Sequence, residues 1–239
     1  MNFSAIRFIY FDIDDTLLNH SAAAEGALRG VHDEFSSHIG HIPAEKFIER
    51  FHIENSAVWL AMARRELTAD EVKIHRFTRT LAHLTGEHPD ALLHIGKMLS
   101  HSFLDRYGDY FVLHEAAEEV IEAAERLAPV GLLSNGFPEQ QRRKLRYFGW
   151  EKRFAAVVLS ADAGAMKPDK AIFDFARMKA GIDDAETLLY VGDNFETDVV
   201  GAANAGWQVV WVNHARQDAP ENSACLTVDS LAELLAHLR

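Results

Sequence analysis

The sequence predicts an α/β protein: a parallel sheet with helices on both faces, interrupted after its first strand by an α-helical insertion. Three observations predict it. Short apolar runs rich in β-branched and aromatic residues recur, each followed by a stretch of helical periodicity. The runs are continuous rather than alternating, as in strands buried on both faces. One long section, residues 21 to 107, carries helical spacing and no strand pattern.

The first strand is read over residues 6 to 11, ending in Phe8-Ile9-Tyr10-Phe11. A lone strand does not persist, so it must join the sheet built later in the chain. In the insertion Phe47, Phe51, Val58 and Met62, then Phe77, Leu81 and Leu84, fall at helical spacing. Breaks near Gly40-His41-Ile42-Pro43, Leu67-Thr68 and Gly86-Glu87-His88-Pro89 divide the section into about four helices. Beyond Tyr110, helices over 115–128, 138–148, 169–180 and 196–205 alternate with four strands. These are Val130–Leu133, Ala156–Leu159, Thr187–Val191 and Gln208–Val212. The predicted division is a core of residues 1–16 and 111–239 and a helical domain of residues 17–110.

The chain has 239 residues, 48% hydrophobic and 25% charged, enough to bury a sizeable core. Its net charge of -12 repels nucleic-acid backbone and anionic membrane, so neither is an expected partner. A small anionic substrate stays open, because a bound cation inverts the local field. The single cysteine, Cys225, excludes an intrachain disulfide and is expected as a small core residue. The start of the sequence lacks the pattern of a signal peptide, and no apolar run approaches the roughly 18 residues that span a bilayer. The expectation is a cytoplasmic protein, a monomer or a weak homo-oligomer.

Ligands of open parallel sheets gather beyond the carboxyl ends of the strands. Those ends carry Asp12-Ile13-Asp14-Asp15-Thr16, then Ser134-Asn135-Gly136, then Ser160 followed by Lys167-Pro168, then Gly192-Asp193-Asn194 with Asp198 beyond. Singly, each is ordinarily a turn residue, a helix cap or a solvated surface group. Together, in this order, they offer carboxylates, a hydroxyl, backbone donors and an ammonium. Two unit charges ~4 Å apart repel by roughly 4 kcal/mol at an effective dielectric of about 20, so clustered acids call for a partner. Mg²⁺ suits them, as a hard ion that takes a few carboxylates plus water and phosphate. Asp12 and Asp14, two apart in an extended segment, face one side, and Asp15 faces the other. One of the pair, ionised, can be a nucleophile and the other, protonated, an acid. The Ser134 hydroxyl and the N–H groups of Asn135 and Gly136 can hold phosphate oxygens, with Lys167 as a point charge. That is the equipment of phosphoryl transfer.

At these residues the chain resembles the haloacid dehalogenase-like superfamily of phosphohydrolases. DIDDT, SNG, KPD and GDNFETD are similar to its four motifs in order and spacing. The segments SNGFPEQQRRKLRYFG and GDNFETDVVGAANAGW resemble most the branch that holds bacterial nucleoside 5′-monophosphatases and an acylneuraminate 9-phosphatase. The resemblance implies a Rossmann-like core with an α-helical cap. It implies that Asp12 attacks phosphorus and that Asp14 protonates the leaving alcohol and then activates water. Mg²⁺ is then held by Asp12, the Asp14 carbonyl and Asp193, with Asp198 steadying the metal and Lys167. Ser134, Asn135 and Lys167 then bind phosphate, and Thr16 supports the Asp14 loop and the phosphate site. Family members that cleave carbon–halogen bonds have no acid at the position of Asp14, so its presence implies phosphate-ester hydrolysis. The expected partner is a small phosphate ester, a nucleoside 5′-monophosphate first. A sugar phosphate or another small metabolite is the alternative, and a catalytically idle binding protein on the same fold is a third reading.

Phe137 is read either as a platform for a base or sugar, or as a packing residue. Phe51, His52 and Trp59 lie on the insertion, where aromatics at helical spacing usually form core. The thirteen histidines show no zinc-like pairing. Arg142-Arg143-Lys144-Leu145-Arg146 is read as the solvated face of a helix.

Overall fold

The computed structural model describes residues 1–218 and 225–238. It divides into two compact units, Met1–Asn19 with Val112–Arg239, and His20–Phe111.

The first unit is built on six strands: β1 (Phe8–Phe11), β2 (Val130–Ser134), β3 (Ala156–Leu159), β4 (Leu188–Gly192), β5 (Gln208–Val212) and β6 (Leu226–Val228). All pair in parallel, in the order β3-β2-β1-β4-β5-β6. Every residue of β1, β2 and β4 is buried, which is why these strands read as unbroken apolar runs. Phe8 and Tyr10 pack into a cluster with Phe173, Tyr190 and Trp207, while Ile9 and Phe11 serve the opposite face. Tyr10 and Tyr190 bury their rings and still satisfy their hydroxyls, donating to the carbonyls of Ala176 and Leu133 at 2.9 Å each. Gly131 lets β2 pass the Tyr10 ring, since a Cβ there would sit 2.6 Å from it.

The predicted alternation holds. A helix at Ala117–Leu127 precedes β2, one at Pro138–Tyr147 precedes β3, and one at Lys170–Ala180 precedes β4. Two elements near the end went unread, β6 and the helix Leu231–Leu238. The helix predicted over 196–205 is instead a π-helical turn, Phe195–Val200, running into a short α-helix, Gly201–Asn204. In that turn the Val199 N–H reaches the Asn194 carbonyl five residues back, at 3.3 Å, and the Asp198 side chain is fully buried.

The second unit contains four long helices, α1 (His20–Glu34), α2 (Ala44–Ala63), α3 (Ala69–Thr85) and α4 (Leu93–Tyr107), plus a short turn at Ser36–Ile39. Thr68 and Glu71 cap α3 reciprocally: Thr68 accepts from the Glu71 N–H, and Glu71 accepts from the Thr68 N–H. Gly86, at φ 78°, ends that helix. Phe47, Phe51, Phe77 and Phe103 form its core, with the guanidinium of buried Arg76 lying 4.7 Å from the Phe103 ring centre. Phe51 is therefore core, as its spacing predicts, and His52 is exposed. Cys225 is half-buried. Among the described residues no helix is long and apolar enough to cross a membrane.

The chain segments that leave and re-enter the first unit run side by side. The Asn19 N–H donates to the Val112 carbonyl at 3.0 Å, Leu18 bridges Leu113 in antiparallel register, and the His114 N–H donates to the Leu17 carbonyl at 2.8 Å.

Candidate active site

The strand order reverses between β1 and β4, because β2 and β3 lie to one side of β1 and β4, β5 and β6 to the other. Such a reversal opens a crevice at the carboxyl ends of the strands. Asp12 follows β1 and stays in the ladder, its N–H donating to the Val191 carbonyl at 2.9 Å. Asp193 follows β4 directly. The π-helical turn then brings in Asp198, so that carboxylate oxygens of Asp12, Asp193 and Asp198 all lie within 4.8 Å of one another. Gly192 makes room for this, since a Cβ there would sit 2.4 Å from Asp198 Oδ2.

Lys167 enters the same cluster, almost wholly buried. Its Nζ donates to Asp198 Oδ1 and to the Tyr190 hydroxyl at 2.7 Å each, and forms an ion pair with Asp12 Oδ1 at 2.8 Å. Burial alone would lower the Lys167 pKa. Asp12 and Asp198 outweigh burial and hold the ammonium charged. The carboxyls of Asp12 and Asp193 are pushed up, first by burial and then by their acidic neighbours, with Lys167 opposing the shift at Asp12 and Thr16 opposing it at Asp193. Asp198 spends Oδ1 on Lys167 and Oδ2 on the Asn194 N–H at 3.0 Å, so it braces the lysine and the loop after β4.

Several residues make contacts that the sequence does not announce. Thr16, expected beside the phosphate and the Asp14 loop, spends its hydroxyl hydrogen on Asp193 Oδ1 at 2.8 Å. The Asn135 side chain is bonded at both ends to the backbone of Lys167, donating to its carbonyl at 2.9 Å and accepting from its N–H at 2.8 Å. It is a brace between two strand ends. The Gly136 N–H, expected at a phosphate oxygen, donates to Ser134 Oγ at 3.2 Å, leaving the Ser134 hydroxyl its own hydrogen. Phe137 is buried, which is the packing alternative.

Asp14 stands outside the Asp12 cluster and is partly exposed. Its carboxylate meets two side chains from the helix Pro138–Tyr147: Gln141 Nε2 donates to Oδ2 at 2.7 Å, and the Lys144 ammonium pairs with Oδ1. Lys144 therefore corrects the reading of residues 142 to 146 as a solvated face, because it and Gln141 are buried. Asp15, at φ 57°, turns away, and its charge is felt by the stacked rings of His114 and His214, 4.2 Å apart. Sequence reasoning also missed Tyr190, which holds Lys167, and Trp211, whose indole N–H donates to the Asp193 carbonyl at 2.7 Å. Both look like ordinary strand aromatics until the sheet aligns them.

The haloacid dehalogenase-like hydrolase family model matches residues 6–206. The chain is 29% identical to pyrimidine 5′-nucleotidase YjjG of Escherichia coli over 95% of each chain. It is 25% identical to human N-acylneuraminate-9-phosphatase, covering 89% of this chain and 85% of that one. Among solved structures it resembles the magnesium-bound HAD-hydrolase YfnB of Bacillus subtilis, with a TM-score of 0.82 and 26% identity over 98% of both chains. With its four signature segments converging on one sheet edge, the chain belongs to the haloacid dehalogenase-like hydrolases.

Proposed function

We propose that the protein is a magnesium-dependent phosphatase of small phosphate monoesters, nucleoside 5′-monophosphates foremost, that works through an aspartyl-phosphate on Asp12. The observation that carries this reading is the convergence of Asp12, Asp193 and Asp198 with the buried Lys167 at the strand-order reversal. The donor set fits Mg²⁺: hard carboxylate oxygens, and four acids, Asp12, Asp14, Asp193 and Asp198, against two ammoniums, Lys144 and Lys167. Asp12, Asp193 and the Asp14 carbonyl would hold the ion, which when bound offsets the charge of the phosphate oxygens.

The residues then divide the work. An Asp12 carboxylate oxygen attacks phosphorus, and the bond from phosphorus to the ester oxygen breaks. Asp14 gives its proton to the departing alkoxide. Asp14 then takes a proton from the water that attacks the phosphoaspartate, releasing inorganic phosphate and Asp12. Lys167 fixes the Asp12 carboxylate, and the Ser134 hydroxyl donates to the phosphate. The helical unit serves as the substrate-selecting cap. The net charge of -12 disfavours nucleic acid and anionic membrane as partners, and the reading keeps a small phosphate ester as partner of a cytoplasmic monomer or weak homo-oligomer.

Two pyrimidine 5′-nucleotidases among the relatives support nucleotides as the substrate class. The acylneuraminate phosphatase supports a sugar phosphate as the second reading. A phosphomonoester panel with free-phosphate detection tests both. The expected result is Mg²⁺-dependent release that is fastest from nucleoside 5′-monophosphates, lost with chelator, and reduced at least about 10³-fold in Asp12→Asn. Full turnover by Asp12→Asn would remove the covalent mechanism. Preference for a sugar phosphate would move the assignment to the second reading, and no hydrolysis of any ester would leave the idle binding protein.

A further inference from the structure

We propose that Gln141 and Lys144 are positioning residues for Asp14, clamping its carboxyl group where it exchanges a proton with the leaving oxygen and then with water. The inference rests on the reading of Asp14 as the acid and base of the reaction.

The helix Pro138–Tyr147 is one of the most polar in the chain, yet it buries Gln141 to 1% exposure and Lys144 to 2%. A buried ammonium must be paired, because an uncompensated one is strongly destabilising. The ion pair that the structure shows for Lys144 is to Asp14, 130 residues away in sequence. Three residues apart on one helix, Gln141 and Lys144 share a face. Each takes a different oxygen of Asp14, so together they fix both the direction and the plane of the carboxyl group.

Gly136 gives an independent sign that this seat is built. A Cβ on Gly136 would lie 1.6 Å from Gln141 Nε2 and 2.6 Å from its Cδ, so any side chain there evicts the glutamine. The bare backbone after Ser134 thus makes room for Gln141 as well as shaping the loop. The other end of the amide, Oε1, is buried with no hydrogen-bond partner. By turning over, the same amide can accept from a carboxylic acid as readily as it donates to a carboxylate, so it can hold Asp14 with or without its proton. The two lysines of the site thereby serve different aspartates, Lys167 the nucleophile and Lys144 the proton carrier.

The test compares two leaving groups. A nitrophenolate departs from p-nitrophenyl phosphate without needing a proton, whereas the alkoxide of a nucleoside 5′-monophosphate needs one. The kcat/KM of each is measured with Mg²⁺ for wild type, Asp14→Asn, Gln141→Leu, Lys144→Met, Lys144→Arg and the double variant Asp14→Asn/Lys144→Met. Asp14→Asn is expected to lose about 10²–10⁴-fold on the alkyl ester and far less on the aryl ester. Gln141→Leu and Lys144→Met should show the same selectivity at about 10–10²-fold, with partial recovery in Lys144→Arg. The double variant should be no worse than Asp14→Asn alone. Equal losses on both esters, or none, in the Gln141 and Lys144 variants beside a selective Asp14→Asn would overturn the positioning role and leave Asp14 in place. A non-selective Asp14→Asn would overturn the Asp14 reading and the clamp with it. If Lys144→Met fails to fold by circular dichroism, Lys144→Arg and Gln141→Leu decide the question by the same ratio.

Discussion

Lys167 sits where a single ammonium has to serve two acids and a phenol, and the balance around it is still negative. Burial first, then neighbouring carboxylates, raises Asp12 from 3.8 to about 7 and Asp193 from 3.8 to about 8. A carboxyl raised on folding stabilises the fold below its unfolded value, and that contribution is lost as pH rises through the folded one. In metal-free protein these two groups should therefore cost stability progressively between about pH 4 and pH 8. A divalent cation that needs them ionised removes that cost, so Mg²⁺ should raise the melting temperature more at pH 8 than at pH 5. Scanning calorimetry at both values checks this, and an equal or reversed shift would count against Asp12 and Asp193 as the metal's ligands. At this scale the sequence was informative about where groups directly after strands lie, since position alone implies the crevice: Asp12 after β1 and Asp193 after β4. Gln141 and Lys144 were illegible because their partner is remote, and on a helix with so many charges only burial tells them from their solvated neighbours.

Among the elements, legibility followed burial. Strands covered on both faces, β1, β2, β4 and β5, announced themselves as apolar runs. The edge strand β6 has three residues, two of them only partly buried, and no such run to show. The helix predicted over 196–205 was placed well but given the wrong winding, because nothing in FETDVV marks the i to i+5 bond that accompanies a buried Asp198. Helix ends were clearer, because their chemistry is local. Thr68 and Glu71 close the start of α3 within four residues, so Thr68→Ala should destabilise the helical unit by about 1 kcal/mol. Denaturant unfolding followed through the unit's own hydrogen exchange would read this change. A loss in the exchange protection of the sheet rather than of α3 would contradict a local cap.

For the whole molecule, the expectation was a helical domain of residues 17–110 inserted after one strand; the chain divides into two compact units, the helical one running from His20 to Phe111. The expected junctions fell a few residues outside this unit at its start and one residue short at its end, which reflects the paired segments Leu17–Asn19 and Val112–His114. Hydrophobic periodicity does not register so short a ladder. That ladder has a topological meaning. Leu18 opposite Leu113, with Asn19 bonded to Val112, is an isolated antiparallel bridge that closes a loop made of an entire folded unit. Loop-closure entropy grows only as the logarithm of loop length, and the ends of this loop already meet. The helical unit is thus an insertion between two chain segments that are already paired. Replacing His20–Phe111 by a turn of about four residues should leave a sheet domain that still unfolds cooperatively and still binds Mg²⁺. The strand-end carboxylates and the helical unit would then be separable pieces of one chain.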